Sequence, residues 1–326
     1  MIAAPRIELA TQADLDALAE MRVESGWHRN EPILASTLAW ERGRIFVVRA
    51  GATGAPVEEA DRIVATTSAI AAGPIGVIGN VSVRPEFRRL GLGRLLTAHA
   101  VEWMRSQGVR TAWLDATVSG RPLYQKLGFT ETTESWVVHT PMRNLDTDRI
   151  EALAAGFVAE AALPETLDTL AHLDLIAFGG DRFGLLRAMA GQPGSILLIA
   201  HRADDDAKQP LGYALTRRFE SPYTGTRVGP MVATDDHIAA TLVLAAIRAE
   251  TQRSADEVKS GATFFSAGGG EMPHARAFFD SIGAETEDDD IVMRLDLDNR
   301  PNGSEPPAAK YAEKARLYSW SSSMLF

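Results

Sequence analysis

Along the first 145 residues, short alternating or apolar runs give way at intervals to apolar positions spaced three and four apart. Residues 6–10, 45–50, 63–71, 75–83, 111–116 and 135–140 carry the strand pattern. A Gly/Ala/Pro turn at 51–56 separates the second and third of these runs. Residues 13–26 and 32–42 are expected as helices, with Thr11 and Asp14 offering caps at the first. Leu92, Leu95, Leu96, Trp103 and Met104 recur at helical spacing, Gly108 closes that helix, and a short helix follows at 121–127. Strands alternating with helices place this segment in the α/β class.

A second α/β segment is expected over residues 146–297, with helices at 169–178, 182–189, 239–250 and 274–282. Its strands are expected at 195–201, 211–217, 227–233, 263–267 and 291–295. The element order from Arg227 onward repeats the order from Ile75 onward. Arg276-Ala277-Phe278-Phe279-Asp280-Ser281-Ile282-Gly283 can be laid on Arg121-Pro122-Leu123-Tyr124-Gln125-Lys126-Leu127-Gly128. The chain therefore reads as two diverged copies of one fold, 1–145 and 146–297, followed by a linker and tail over 298–326. Pro301, Gly303, Pro306 and Pro307 mark the linker, and the tail, though it carries apolar residues, is expected as a mobile terminus. Residues 285–290 are expected as a solvated acidic hairpin, and Gly268-Gly269-Gly270 as a flexible turn.

Composition narrows the function classes. The 326 residues are 45% hydrophobic and 23% charged, which suits about two globular domains. A net charge of −10 without a Lys/Arg block argues against nucleic-acid binding and suits a cationic small substrate. No run approaches ~18 consecutive apolar residues, so no membrane span is expected. The start Met1-Ile2-Ala3-Ala4-Pro5-Arg6 lacks the pattern of a signal peptide. Without cysteine there is no disulfide, thiolate metal site or cysteine nucleophile, and a cytoplasmic location is expected. The seven histidines show no metal-ligand spacing, and no Gly-x-Ser-x-Gly elbow occurs, so no metal is expected.

One stretch carries specific chemistry. A strand runs into Arg88-Arg89-Leu90-Gly91-Leu92-Gly93 and then into an amphipathic helix. The glycines let the backbone approach a ligand closely, and the helix start presents unpaired N–H groups to a pyrophosphate. Arg88, Arg89 and Arg94 add positive charge. Val81-Ser82-Val83-Arg84-Pro85-Glu86-Phe87 precedes the loop, and Leu114-Asp115-Ala116-Thr117 and Leu123-Tyr124-Gln125-Lys126-Leu127-Gly128-Phe129 follow it. Together these runs resemble the acyl-CoA loop and signature of the GNAT acyltransferase superfamily, whose Arg/Gln-x-x-Gly-x-Gly/Ala pattern is met by Arg88, Gly91 and Gly93. Gly26-Trp27, Gly120-Arg121-Pro122, Asp174 with Phe178-Gly179-Gly180-Asp181-Arg182, and Val228-Gly229-Pro230-Met231-Val232-Ala233 are similar to a two-domain group within it.

The resemblance implies two tandem GNAT-like domains, each a mixed, mostly antiparallel sheet flanked by helices and splayed beside its fourth strand. It implies acetyl-CoA as donor. Val81, Ser82 and Val83 would line the pantetheine arm, and Arg88, Arg89, Leu90, Gly91, Leu92, Gly93 and Arg94 would hold the pyrophosphate. Thr117 stands where the family commonly has an asparagine, which leaves its cofactor contact open. Tyr124 stands where many members carry the tyrosine that protonates the departing thiolate. Glu24, His28 and Glu31 could each receive the amine proton, and Trp27, Glu31 and Asp115 are candidates for holding the acceptor. Glu24 and His28 join Tyr124 as the catalytic candidates.

In the second copy, Asp235 and Asp236 replace the glycine–arginine loop and would repel pyrophosphate. Phe279 stands where Tyr124 does and has no proton to give. One working site is therefore expected, the second copy serving to wall the acceptor pocket or to form a homodimer. The leading expectation is acetylation of a primary amine on a small molecule. Acetylation of a protein or peptide, and non-catalytic sensing of acyl-CoA, stay open as alternatives.

Overall fold

The computed structural model describes residues 5–53, 60–219, 225–256, 264–269, 272–298 and 316–319. Residues 54–56 of the expected turn, Thr263, Gly270, the proline-marked linker and the tail past Ser319 lie outside the described residues. The described chain forms two compact units, one of residues 5–132 with 291–298, the other of residues 133–290 with 316–319. The divisions fall inside two strands, whereas the pattern suggested a break near residue 145. Among the described residues no helix is long and apolar enough to cross a membrane.

Chain order in the first unit begins β1 (Glu8–Leu9), α1 (Leu15–Glu24), α2 (Glu31–Ala39), β2 (Gly43–Arg49), β3 (Ile63–Ala72) and β4 (Ile75–Val83). It continues with α3 (Leu92–Ser106), β5 (Thr111–Ala116), α4 (Arg121–Gln125) and β6 (Thr130–Pro141). The second unit holds α5 (Thr147–Ala154), β7 (Phe157–Ala162), α6 (Ala171–Phe178), α7 (Phe183–Ala190), β8 (Ser195–Arg202) and β9 (Gly212–Phe219). After these come β10 (Gly225–Ala233), α8 (Asp236–Asp256), β11 (Phe264–Gly269), α9 (Pro273–Ser281), β12 (Thr286–Asp296) and β13 (Arg316–Ser319).

The strand orders of the two units share one plan. The first runs β1-β2-β3-β4-β5-β12, antiparallel throughout except for the parallel pair β4–β5. The second runs β7-β8-β9-β10-β11-β6, again antiparallel except for β10–β11. Each sheet is thus mixed and mostly antiparallel, as expected. The last strand of each is the less obvious one. Residues 291–296 of β12 pair with β5 in the first unit, Ile291 opposite Ala116 and Asp296 opposite Thr111. In the second unit β11 instead pairs with β6, from Phe264 opposite Pro141 to Gly269 opposite Trp136.

Packing in the first unit follows from α3. Leu92, Leu96, Ala100 and Met104 recur every fourth residue, so they share one helix face, and all are at most 2% exposed. That face meets Ile78 of β4 and Ala65 and Ala69 of β3 in one apolar cluster. Each fully buried leucine there contributes about 1.5–3 kcal/mol relative to exposure. In the second unit Arg182 and Asp174 are buried together. The carboxylate takes guanidinium bonds of 2.8–3.3 Å and a 2.5 Å bond from the Tyr213 hydroxyl. Burial first, and the Asp174 charge second, push the Tyr213 phenol well above its ordinary value.

Several expectations are corrected. Residues 286–290 are strand, part of β12, and not a solvated hairpin, because they run without a break into the strand residues Val292 and Met293, both buried. Gly268 and Gly269 are strand too, paired with Val137 and Trp136, and so are not a flexible turn. Residues 316–319 form β13 on β10, so this part of the tail is docked and not a mobile terminus. Elements α5 and β7 had no counterpart in the expected pattern.

Candidate active site

The site begins where β4 and β5 part. Their parallel register covers three residues, Ile75–Val77 against Thr111–Trp113, and ends there. On its other edge β4 stays paired with β3 as far as Val83 opposite Ala65, with an irregularity opposite Thr66–Ser68. Asn80 sits at that irregularity with φ 50°, a left-handed conformation that asparagine tolerates better than most residues. Among the described residues no strand pairs with this edge of β4 past Val77, so it lies open next to a gap in the sheet.

Side chains on this stretch alternate between two faces, as a strand requires. A Cβ built on Gly93 would lie 3.6 Å from Val83 and 4.0 Å from Val81, so both valines point at the start of α3. Asn80 and Ser82 point the other way, to α1. There Ser25 Oγ lies 2.6 Å from Ser82 Oγ, and Asn80 accepts from Arg22 while donating to Ser68 Oγ at 2.9 Å. The Arg84 N–H bonds Val64 of β3 at 2.9 Å, so Ser82 also faces β3 and the peptide groups of Val81 and Val83 face the opening. The Val83 carbonyl accepts from Arg88 Nε at 3.1 Å.

The loop after β4 has the shape its sequence suggested. A 3-10 turn over Pro85–Phe87 leads to Arg89 at φ 63° and Gly91 at φ 79°, and Leu92 opens α3. Among the described residues nothing lies within 4 Å of a Cβ built on Gly91, so this glycine answers a backbone requirement and not a packing one. Gly93, by contrast, is packed, with Leu123 only 3.2 Å from a Cβ there. Arg88, Arg89, Leu90 and Arg94 are exposed around the helix start. Three exposed arginines thus flank the first turn of a 15-residue helix, whose leading N–H groups have no intrahelical partner.

Across the opening, α4 holds Tyr124 in the core, its ring 6.1 Å from that of Phe129 in an edge-to-face contact. Gly120 makes room for it, since a Cβ there would lie 3.1 Å from the tyrosine ring. Thr117 is used locally, its hydroxyl accepting from the Gly120 N–H at 3.1 Å. Asp115 stands on β5 opposite Val292, half-buried.

The acceptor-side candidates gather at the C-terminal end of α1. Glu24 pairs with the buried Arg84, which also donates to the Ile63 carbonyl at 2.8 Å, so this corner is tied to the end of β4. Trp27 is half-buried, with the Arg22 guanidinium 5.6 Å from its ring. His28 is exposed and its carbonyl accepts from Arg22 Nε at 2.7 Å. Glu31 opens α2 and pairs with Arg29. Sequence reasoning missed Arg22, Ser25, Asn80 and Arg84. The available signal was polar Asn80 and Ser82 inside an otherwise apolar strand, and an arginine among the buried positions of α1.

These features fit an acyl-CoA: a free strand edge for the amide-bearing arm, then a left-handed glycine and a cationic helix start for the phosphates. Comparison with known proteins agrees. The model of the GNAT acetyltransferase family matches residues 15–129, and that of a GNAT acetyltransferase domain matches residues 170–261. The chain belongs to the GNAT acetyltransferase family and carries two of its domains in tandem. A ribosomal-protein-bS18-alanine N-acetyltransferase of Salmonella typhimurium is 42% identical over 57 residues, 17% of this chain and 38% of its own. An aminoglycoside N(6')-acetyltransferase of Stenotrophomonas maltophilia is 32% identical over 140 residues, 40% of this chain and 88% of its own. Among solved structures, a putative acetyltransferase from Pyrococcus horikoshii superposes with a TM-score of 0.69 at 17% identity. That match covers 99% of this chain and 96% of the other, and it speaks for the fold.

Proposed function

We propose that the first unit transfers an acetyl group from acetyl-CoA to a primary amine of a small molecule, by direct attack with both substrates bound. The observation that carries this is the opening between β4 and β5, ending at Gly91 and the start of α3. Bound acetyl-CoA supplies the thioester. The chain's residues then do the following. Peptide groups of Val81 and Val83 bond the extended arm as a neighbouring strand would, and an N–H among them donates to the carbonyl oxygen as negative charge develops. Ser82 stays on the α1 side and fixes the strand through Ser25. Amides from Arg89 to Arg94, with the guanidinium groups of Arg88, Arg89 and Arg94, hold the pyrophosphate, while Leu90, Leu92 and Gly93 shape the turn. Tyr124 gives its hydroxyl proton to the departing sulfur. Glu24 or His28 takes the proton of the amine, directly or through water, and Trp27, Glu31 and Asp115 hold the cationic acceptor. A positioned acid or base of this kind is worth about 10²–10⁴ in rate.

Two facts support a small acceptor: the match covers most of an aminoglycoside acetyltransferase, and the net charge of −10 favours cations. The test is coenzyme A thiol release across polyamines, amino acids, aminoglycosides and a peptide with a free N-terminal alanine. Turnover with a small amine is expected. Turnover with the peptide alone would replace the small acceptor by a protein, and silence on every amine would leave a binding protein.

A further inference from the structure

The second unit repeats the parting of strands seen at the candidate active site. β10 and β11 run parallel over Gly225–Arg227 against Phe264–Ser266, three residue pairs, and the register then ends. On the other edge β10 stays paired with β9 through Ala233 opposite Gly212, with an irregularity between Val228 and Met231. This is the arrangement of β4 with β5 and β3, strand for strand. In the first unit the free edge past the last parallel pair is the stretch ascribed to the pantetheine arm.

In the second unit that edge is taken. β13 pairs antiparallel with β10 along it, Met231 opposite Ser319, Val232 opposite Leu317 and Ala233 opposite Arg316. β13 also lies against β11 and α9, the counterparts of β5 and α4, and against α6. The end that would receive phosphates is closed as well. Asp235 accepts from the Ile238 N–H at 3.0 Å, so a carboxylate caps α8 where the first unit leaves the start of α3 to the arginine-flanked loop.

We propose that the former cofactor cleft of the second copy has become a strand-accepting peptide site, and that its ligand is this chain's own C-terminal segment around residues 316–319. The chemistry selects that class of ligand. A strand edge offers N–H and C=O groups in alternation, which an extended peptide satisfies along its length. The anion-binding end that would favour a nucleotide-bearing ligand is occupied by Asp235. The tail thus seals the second copy, and acetyl-CoA is confined to the first. This inference rests on reading the β4–β5 opening as the acyl-CoA cleft.

The test uses the full chain and two variants at its end, Leu317→Pro and Ser319→Pro, each of which removes a backbone N–H from β13. Amide hydrogen exchange is followed at Met231–Ala233, with acetyl-CoA binding measured in parallel. Exchange of the amides there that face β13 should rise about tenfold in either variant, the loss of roughly one net hydrogen bond. A synthetic peptide of residues 312–323 added to the variants should restore protection, and a scrambled peptide should not. One acetyl-CoA per chain should bind in all three proteins. Unchanged exchange in both variants, or protection restored equally by the scrambled peptide, would overturn the proposal. A second acetyl-CoA bound by a variant would also overturn it, since the tail would then be masking a cofactor cleft. Expected exchange behaviour with no acetyl-CoA bound to any of the three would instead fault the reading of the first unit and leave the peptide site standing.

Discussion

Gly91 and Gly108 form a natural pair for testing the loop. Both are left-handed, at φ 79° and 78°, and a Cβ on either meets nothing within 4 Å. Gly91 precedes α3, whereas Gly108 follows it at the opposite end. A side chain in this conformation costs about 1–2 kcal/mol, and β-branching makes it worse. Valine at either position should therefore lower stability by a similar amount, unless the loop relaxes to avoid the strain. At Gly91 that relaxation must be reversed when the phosphates bind, which alone weakens acetyl-CoA by about 5- to 30-fold. The new side chain also projects into the open space a pyrophosphate must enter. Gly91→Val should then lose at least about tenfold in affinity by calorimetric titration, while Gly108→Val binds as the parent does. Chemical denaturation of both proteins separates the shared backbone cost from the binding effect. Equal affinities in the two variants, within about twofold, would refute the assignment of this loop to the phosphates.

Other expectations follow from the same geometry. Tyr124→Phe should keep acetyl-CoA affinity but reduce kcat by about 10²–10⁴, and the basic limb of the pH–rate profile should vanish with it; unchanged turnover would remove Tyr124 as the acid. Glu24→Gln and His28→Ala, assayed across pH, should differ, with only the true base losing the acidic limb of kcat/KM. Asp174→Ala strands the buried Arg182 and should cost about 3–5 kcal/mol in urea unfolding, measured without reference to activity. The raised Tyr213 phenol favours the protonated form in the folded state, so its contribution is complete below the unfolded tyrosine value of about 10 and is lost as pH climbs above it. Tyr213→Phe should accordingly flatten the alkaline fall in stability, and an unchanged alkaline slope would show that the group does not govern it.

Much of the first unit was legible because its signals are local. The period of α3 is carried by Leu92, Leu96 and Met104, which share the face turned to the core, and Gly108 stops it where the chain must turn back. The shape of the loop before α3 was legible for a related reason. Left-handed Gly91 and packed Gly93 meet separate local demands, one on the backbone and one on space, and each favours a small residue there, glycine above all at Gly91. Strand partners are a different matter. The pattern over 291–295 marks a buried strand, but nothing in it says that the strand completes the first sheet and not the second. β7 was invisible because Phe157-Val158-Ala159-Glu160-Ala161-Ala162 is poor in β-formers, and an edge position opposite β8 makes it a strand. β13 owes its existence to the edge of β10; the tail's apolar residues hinted at docking, but its own sequence does not say where. The polar ties Arg22–Asn80–Ser68 and Ser25–Ser82 span more than fifty residues for the same reason, and only the fold brings them together.

The most direct test of one working site on a duplicated fold is an equilibrium titration of the intact chain with acetyl-CoA. The loop at Gly91, the opening beside β4 and the sealed edge of β10 together predict one molecule bound per chain, lost in Gly91→Val. Two molecules per chain, or one that survives Gly91→Val undiminished, would contradict the account.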